Sequence, residues 1–369
     1  MKKLFNKFKN MSKKKKIILS ICSILVIALI ACLIVLFTKP EVKEKIKKKK
    51  EPVVVKKLQI FNIDSKTRPI AVMINNHAQA RPYHSGLDKA QIVYEFIVEG
   101  GITRMLAVFK DQNLDRIGPV RSSRHYYLDY AMENDAIYVH WGWSPQAEAD
   151  IRRYGINNLN GLYDPGFTRD KNLIGKINLE HTAITSTAGI NNAIERKGYR
   201  TEYKTDDVES ELVLKYSVDE ISLEPPKPKT EEEVVDTDSM VANNITIPYS
   251  NYMTASYTYD ATNKYYLRYI NGVEHKDYIT GEQYHFKNIL ILKVENHTID
   301  NYGRQTLSNV GSGDGYFITN GYARPIKWEK SSRESKTVYK YLDGSEVKVN
   351  DGNTFIQVEP INMTPTITE

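Results

Sequence analysis

Residues 91–109 read QIVYEFIVEGGITRMLAVF, and this stretch decides how the body of the chain folds. Two runs rich in β-branched and aromatic residues, 91–98 and 102–109, flank the pair Gly100-Gly101. Two glycines between such runs are typical of a tight turn that joins antiparallel strands. The sequence therefore predicts a β-hairpin with its turn at these glycines.

The predicted hairpin places acidic and basic side chains together near its turn. A two-residue turn puts Glu99 opposite Ile102 and Ile97 opposite Arg104, and alternation then puts Glu95, Glu99 and Arg104 on one face. An acid beside a guanidinium on a rigid strand can protonate a leaving group. We therefore expect Glu99, or next Glu95, to be catalytic, with Arg104 binding substrate. The alternative is a cross-strand salt bridge on a solvated face.

The sequence around the hairpin predicts a mixed α/β layer domain over residues 61–205. Ser144 followed by Pro145 is typical of a helix start, and Gly155 is typical of a helix end. Strands are expected at 70–74, 91–98, 102–109 and 136–141, and helices near 122–133, 145–154 and 187–197.

Beyond residue 205 the pattern changes to tyrosine-rich alternating runs with turn residues between them. These runs predict a second, mostly β domain over 206–369. A proline-rich and charged segment, 223–240, interrupts it as a linker or insert. The fold class expected is thus a mixed α/β layer domain followed by a mostly β domain, after an N-terminal transmembrane helix.

An uncharged apolar run at residues 17–38 is long enough to cross a bilayer as a helix. We expect a single-pass anchor in the cell membrane, with a basic cytoplasmic tail at 1–16, a charged stalk at 39–60 and the body outside the cytoplasm. A cleaved signal peptide is disfavoured because the run is long and lacks a small-residue exit. The second alternative is lipidation at Cys32, because Leu29-Ile30-Ala31-Cys32 is similar to a lipobox.

Charge and cysteine content exclude several classes of function. Residues 1–57 hold 17 lysines and 3 glutamates, and the remainder holds 34 basic and 42 acidic residues. The body is mildly acidic and shows no basic groove for a phosphate backbone, so we expect no nucleic-acid partner.

Cys22 and Cys32 are the only cysteines, and both lie in the apolar run. Disulfides, cysteine nucleophiles and cysteine-based zinc sites are therefore excluded from the body.

Three further segments carry residue types that bind ligands. Arginines at a strand-to-helix turn favour anions, and tryptophan offers a surface on which a sugar can stack. Segments 121–125 and 140–146 each have a structural alternative. In the first, a serine caps a helix and the arginines are solvated. In the second, tryptophan packs in the core and the histidine has its hydrogen bonds satisfied within the protein. The predicted binding residues are Arg121 and Arg124 in segment 121–125, and His140, Trp141, Trp143 and Ser144 in segment 140–146; the third segment is 164–170, which includes Arg169 and is followed by His181.

The spacing of histidines and acids matches no metal-binding pattern, so we expect no metal site. The run 311–315 lacks the Gly-Lys-Ser/Thr ending of a phosphate-binding P-loop. Ser144 has no surrounding Gly-x-Ser-x-Gly elbow that would indicate a nucleophile. We accordingly expect no cofactor.

These motifs in series resemble the YerB-like lipoproteins of Firmicutes, a two-domain family without a settled reaction. The resemblance is carried by residues 68–76, 80–82, 92–104, 117–124 and 140–146, and by 323–328 and 351–356 in the second domain. It covers nearly all of 62–360. It implies a surface-exposed Gram-positive envelope protein, and Asn75, in the first of these blocks, joins the candidate binding residues.

The sequence supports two hypotheses for function. The first is an envelope protein that engages peptidoglycan, cleaving glycan strands in the manner of a lytic transglycosylase with Glu99 as the single acid/base. Arg104, Arg121 and Arg124 would then bind wall carboxylates, and Trp141 or Trp143 would stack on a sugar. The second is a non-catalytic scaffold that holds a wall fragment or an envelope protein partner. In both, the membrane is contacted through residues 17–38.

Overall fold

A computed structural model describes residues 11–38, 57–226 and 238–369. The chain divides into two units, Met1–Lys56 and Lys57–Glu369, and each is described by itself. Most of the predicted tail, most of the stalk and the central part of the predicted linker lie outside the described residues.

The described part of the first unit, residues 11–38, forms helix α1 (Lys13–Thr38). An 18-residue window within Lys13–Leu36 has a mean hydropathy of 3.2, and the length and composition of this stretch are sufficient to cross a membrane. The helix begins and ends close to the predicted run, and this agreement is expected because twenty-odd consecutive apolar residues form a local signal.

The second unit, the body, is built mainly from strands. Its helices are α2 (Tyr127–Glu133), α3 (Pro145–Arg153), α4 (Thr187–Lys197) and α5 (Val208–Glu211), with 3-10 turns at Arg81–Tyr83, Leu87–Lys89, Glu99–Gly101 and Leu179–His181. Its strands are β1 (Ile70–Asn75), β2 (Ile92–Ile97), β3 (Thr103–Phe109), β4 (Ile137–His140), β5 (Asn158–Asn160), β6 (Phe167–Arg169), β7 (Ala183–Thr185), β8 (Lys215–Ser217), β9 (Met240–Val241), β10 (Asn244–Ser250), β11 (Met253–Asp260), β12 (Tyr265–Ile270), β13 (Val273–Glu274), β14 (His285–Phe286), β15 (Asn288–Val294), β16 (Asn296–Thr298), β17 (Gln305–Leu307), β18 (Gly311–Thr319), β19 (Tyr322–Lys330), β20 (Val338–Tyr341), β21 (Lys348–Asn350), β22 (Thr354–Pro360) and β23 (Thr366–Thr368).

One large sheet runs through the body in the order β20-β19-β18-β15-β22-β2-β3-β1-β4-β5, with β9 added beside β19. Strands β1, β4 and β5 are parallel to one another, whereas β3 is antiparallel to β1. Strand β22 lies parallel to both β2 and β15 and so joins the early and late parts of the chain in a single sheet.

Both faces of the large sheet are buried. One face packs against helix α4 and the second sheet, whose strand order is β13-β12-β11-β10-β23, with β14 beside β12. The other face packs against helices α2 and α3. This layered arrangement confirms the expected fold class of a mixed α/β part followed by a mostly β part.

The hairpin forms where the sequence predicts it, but its register is one residue different. Val98 pairs with Ile102, and Ile97 lies opposite Thr103, so the loop is the three-residue turn Glu99–Gly101. Arg104 therefore lies opposite Phe96. A shift of one residue in the pairing register moves the side chains of one strand to the other face relative to those of its partner. The prediction that Glu95, Glu99 and Arg104 share one face was wrong, because the turn takes three residues.

Candidate functional site

The candidate site lies at the edge of the large sheet where β1, β4 and β5 have their carboxyl ends. Ligands of layered α/β proteins often bind at such an edge. The segment after Pro119 crosses this edge: Arg121 N–H donates to Met73 O (2.9 Å), and Trp141 N–H donates to Arg121 O (3.0 Å). These backbone bonds bring Arg121 and Arg124 to the ends of strands that are distant in sequence.

Glu99 and two arginines form the first half of the site. Arg104 donates to Glu99 Oε2 (3.2 Å) and to Ser122 O (2.9 Å), while Arg124 donates to the other carboxylate oxygen of Glu99. Burial acts to raise the pKa of Glu99, but the hydrogen bond from Arg124 and the charges of both arginines lower it overall. Burial and the neighbouring Arg124 lower the pKa of Arg104 to about 10. Glu99 is thus held as a carboxylate between two guanidiniums.

Arg121 and Arg169 form the second half. Arg121 lies 3.3 Å from a carboxylate oxygen of Glu180, whose side chain is 56% exposed. Arg169 stacks on Trp141, with 4.3 Å between the guanidinium carbon and the ring centroid. Burial and the charge of Arg121 lower the pKa of Arg169, so the two guanidiniums lie within electrostatic range of each other. Among the described residues Arg169 has no ion-pair partner.

Two stacked histidines complete the site. The rings of His77 and His181 lie 4.3 Å apart and nearly parallel. Asn75 Oδ1 accepts the backbone N–H of His77 (3.1 Å), which orients the amide so that Nδ2 donates to His181 Nδ1 (2.8 Å). Gln79 N–H donates to His77 Nδ1 (3.2 Å). Both rings therefore carry their proton on Nε2. That of His181, which is 2% exposed, lies 3.5 Å from Glu180, so the half-buried His77 is the ring that offers a donor to a ligand.

Burial and nearby positive charge keep both imidazoles neutral. Burial, followed by the charges of Arg121 and Arg81, lowers the pKa of His77. Burial, together with His77 and Arg121, lowers the pKa of His181 to about 4. The site thus presents guanidiniums and imidazole N–H groups, which are all hydrogen-bond donors and suit an anion.

Glu95 lies away from this site, in the fully buried layer between the two sheets. It accepts from Asn76 (2.9 Å) and Thr103 (2.6 Å) on one oxygen and from Arg268 (2.6 Å) on the other, and neither charged side chain is exposed. A carboxylate with no exposed surface cannot reach a substrate, so the geometry gives no support to a catalytic role for Glu95.

A directed chain of hydrogen bonds leads from Arg268 back to the site. Arg268 Nε donates to His275 Nδ1 (3.2 Å), His275 and His84 share a bond of 2.7 Å, and His84 Nε2 bonds to Asn75 O (2.6 Å). Since a carbonyl only accepts, His84 donates to it and must accept from His275. Burial lowers the pKa of His84 to about 3, consistent with a neutral ring. The chain fixes the backbone beside the side chain of Asn75 that orients His181.

His140 and Ser144 have structural contacts in place of their predicted binding roles. His140 is fully buried: Nδ1 donates to Gly142 O (2.8 Å), Nε2 lies 3.1 Å from the side-chain amide of Asn158, and burial lowers its pKa to about 4. Ser144 caps helix α3 by accepting from Ala147 N–H (3.2 Å). Neither side chain reaches solvent, so the structural alternative accounts for both.

The two tryptophans of the predicted segment differ in what they can offer a ligand. One face of Trp141 is covered by Arg169, and Gly161 packs so closely that a Cβ there would lie 2.6 Å from the indole ring. Trp143 packs against Tyr163 with 6.2 Å between ring centroids, and Tyr163 is 74% exposed. A sugar could stack on the Trp143–Tyr163 pair more readily than on Trp141.

Sequence reasoning found Arg121, Arg124, Arg169 and His181 but missed His77. A histidine two residues after the apolar strand 70–75 was the available signal, since strand ends supply ligand-binding residues. It also missed Arg268, an arginine at an inward position of a tyrosine-rich strand. Among the described residues no group of three metal-binding side chains occurs.

Comparisons with known proteins give a consistent result. Residues 60–200 match the family described as protein of unknown function (DUF3048), N-terminal domain, and residues 245–356 match its C-terminal domain. The chain is 33% identical over 296 residues to YerB of Bacillus subtilis (strain 168), named as a lipoprotein, covering 79% of this chain and 81% of that protein. The crystal structure of YerB from Bacillus subtilis matches with a TM-score of 0.67 at 30% identity, covering 82% of this chain and 95% of that chain.

Proposed function

Since this chain belongs to the DUF3048 family of YerB-like proteins and is anchored to the membrane in the cell envelope, we propose that its body binds an anionic fragment of the cell wall, with peptidoglycan as the ligand. The carboxylates of the wall peptide and of the lactyl groups are the chemical groups recognised. The protein acts as a binding module or scaffold.

The excess of positive charge at the sheet edge carries this proposal. Four arginines meet there with two glutamates: Arg104 and Arg124 share Glu99, Arg121 faces Glu180, and Arg169 has no acidic partner among the described residues. Two positive charges are therefore uncompensated in a body that is acidic overall. Guanidiniums bind carboxylates through paired, charge-assisted hydrogen bonds, which favours a ligand with several carboxylates.

Binding is better supported than glycan cleavage by Glu99. A general acid must be protonated near the working pH, but the two arginines lower the pKa of Glu99. Its two oxygens are already occupied by Arg104 and Arg124. The carboxylate is better suited to fixing the position of both arginines for a ligand than to donating a proton.

Co-sedimentation with intact peptidoglycan tests the proposal. The full chain in lipid nanodiscs is mixed with peptidoglycan, the pellet is assayed for protein and the supernatant is examined for released sugars by mass spectrometry. Arg121→Gln should weaken binding about tenfold, since a charge-assisted bond contributes roughly 1.5–3 kcal/mol. Arg152→Gln is the matched control, because Arg152 is 76% exposed and pairs with Glu148 on helix α3.

The outcomes separate binding from cleavage. Retention of the native chain and the control variant in the pellet, loss of Arg121→Gln, and no released fragments would support the binding module. Release of anhydro-sugar fragments that stops in Glu99→Gln would support the lytic hypothesis and overturn a purely binding role. Absence of the native chain from the pellet would contradict peptidoglycan as the ligand.

A further inference from the structure

A second pocket lies in the body between the 3-10 turn Arg81–Tyr83 and the hairpin formed by β12 and β13. Its volume is about 420 Å³, which falls within the usual range for small-molecule sites. Arg81, Ile270 and Val273 are among the residues that line it. None of them belongs to the anion site at the sheet edge.

Arg81 contributes a positive charge that its surroundings do not balance. Its Nε donates to Asn76 O (3.1 Å), and Nη2 lies 3.1 Å from the sulfur of Met253, which is a weak acceptor. Within the described part of the chain no carboxylate lies within ion-pair distance of Arg81. Burial lowers its pKa, and the charge of Glu95 only partly offsets this effect.

Glu95 cannot serve as the counterion of Arg81, because its oxygens are already bonded to Asn76, Thr103 and Arg268. Glu95 and Arg268 cancel each other's charge, and the nearby His84 and His275 are kept neutral by burial. The group around the pocket therefore carries a net charge of about +1. A partly buried guanidinium in this state gains from an anionic ligand.

The remaining walls of the pocket are largely apolar. Ala78, Pro82, Ile270 and Val273 line it, and Val273 is 69% exposed. Asn271, Glu274, His275 and Lys276 also line it, and the charges of Glu274 and Lys276 are paired with each other (2.7 Å). A ligand that fits must combine one negative charge for Arg81 with an apolar group for these walls.

We propose that the Arg81 pocket is a second binding site, which takes a small monocarboxylate with an apolar side group. Two sources share this chemistry: the free carboxyl end of a peptide with an apolar last residue, and a short aliphatic acid. The site is distinct from the wall-binding site, since different residues and strands line it.

Isothermal titration of the full chain in lipid nanodiscs tests this proposal, with empty nanodiscs as the blank. The probes are N-acetyl-leucine for the peptide source and hexanoate for the aliphatic source, each compared with its uncharged amide. We expect saturable binding of at least one acid and about tenfold or greater loss of affinity for its amide. Binding of N-acetyl-leucine alone would identify a peptide end, and binding of hexanoate alone would identify an aliphatic acid. No saturable binding of either acid, or equal binding of acid and amide, would overturn the proposal.

Variants locate the bound probe. Arg81→Met should reduce affinity about tenfold, while Arg81→Lys should retain part of it. Because Arg81→Met also loses the bond to Asn76 O, Val273→Asp serves as a second variant, which adds a repelling charge on an exposed wall without removing a core contact. Arg121→Gln, in the wall-binding site, should leave probe affinity unchanged. Unchanged affinity in both Arg81→Met and Val273→Asp would place the probe elsewhere and overturn the proposal.

Discussion

At the scale of single residues, the contacts of a carboxylate decide what it can do. Glu99 and Glu95 are four positions apart, yet Glu99 orders two arginines at the sheet edge while Glu95 is enclosed with Arg268. Glu99 accepts from Arg104 and Arg124, and Glu95 accepts from Asn76, Thr103 and Arg268. Their contribution is therefore to fix guanidiniums in place.

Glu180 competes with a ligand for Arg121. Its exposed carboxylate lies 3.3 Å from the guanidinium, where a ligand carboxylate would bind. We predict that Glu180→Gln raises affinity for peptidoglycan about twofold to fivefold, since an exposed ion pair contributes less than about 1 kcal/mol. Co-sedimentation measures this effect. Glu148→Gln, which removes the partner of Arg152, should cause no change. Weaker binding in Glu180→Gln would indicate that Glu180 contacts the ligand directly.

The buried histidines make the body sensitive to acid. Burial lowers the pKa of His84 to about 3 and that of His140 to about 4, from an ordinary value of 6.5. Below pH 6.5 the unfolded chain binds protons that the folded protein does not bind at these rings. The free energy of unfolding should therefore fall as pH decreases from 6.5 towards 4.

Urea denaturation at several pH values, with imidazole NMR shifts of the folded protein, checks this prediction. Shifts of His84 and His140 that stay constant down to about pH 5 are expected, along with a falling midpoint. Titration of either ring near 6.5 would contradict the neutral, buried assignment.

At the scale of elements, the β2–β3 hairpin shows how a turn sets the faces of two strands. Gly100 and Gly101 both have positive φ, at 70° and 69°, so the three-residue turn needs them. The alternation of residues predicts the two strands, but the same sequence is compatible with a turn of two residues and with a turn of three. The three-residue turn also contacts the second sheet, where Ser250 Oγ donates to Gly101 O (2.5 Å).

The two glycines should respond differently to substitution. Gly100 has open space at its Cβ position, so Gly100→Ala should destabilise the body by about 1 kcal/mol through the positive φ alone. A Cβ at Gly101 would lie 3.0 Å from Ser250 Oγ, so Gly101→Ala should cost more. Urea denaturation of the two variants compares them directly. Equal destabilisation would show that the contact with Ser250 relaxes freely.

At the scale of the whole molecule, the body depends on strands that lie far apart in the chain. Strand β22 is inserted between β2 and β15, and β10–β12 cover one face of the large sheet. The buried Glu95–Arg268 pair joins that sheet to its cover. The two predicted sequence domains therefore share one sheet and one core.

Residues 57–205 should not fold alone. Without the rest of the chain, β2 loses its neighbour β22, the core face loses its covering sheet, and Glu95 loses Arg268. Circular dichroism during urea denaturation should show a cooperative transition for 57–369 and none for 57–205. A cooperative transition in the fragment would establish 61–205 as an independent domain.

The sequence by itself determined the elements and the anchor. The apolar run at 17–38, the capping serine Ser144 and the strands on either side of Gly100-Gly101 are local signals, since each depends on neighbouring residues only. It also identified the arginine segment 121–124 as an anion-binding candidate.

Only the tertiary structure decided which of these residues meet. Glu95 faces Arg268, 173 positions away, and not solvent. This depends on the register of β2 and β3, which differs by one residue from the predicted one, and on a covering sheet formed by later residues of the chain. The same is true of Arg121, His77 and His181, which come together because separate loop segments bond to the end of β1: Arg121 N–H donates to Met73 O, and Asn75 Nδ2 donates to His181. Contacts between distant residues depend on packing and on loop length, and neither quantity can be read from local periodicity.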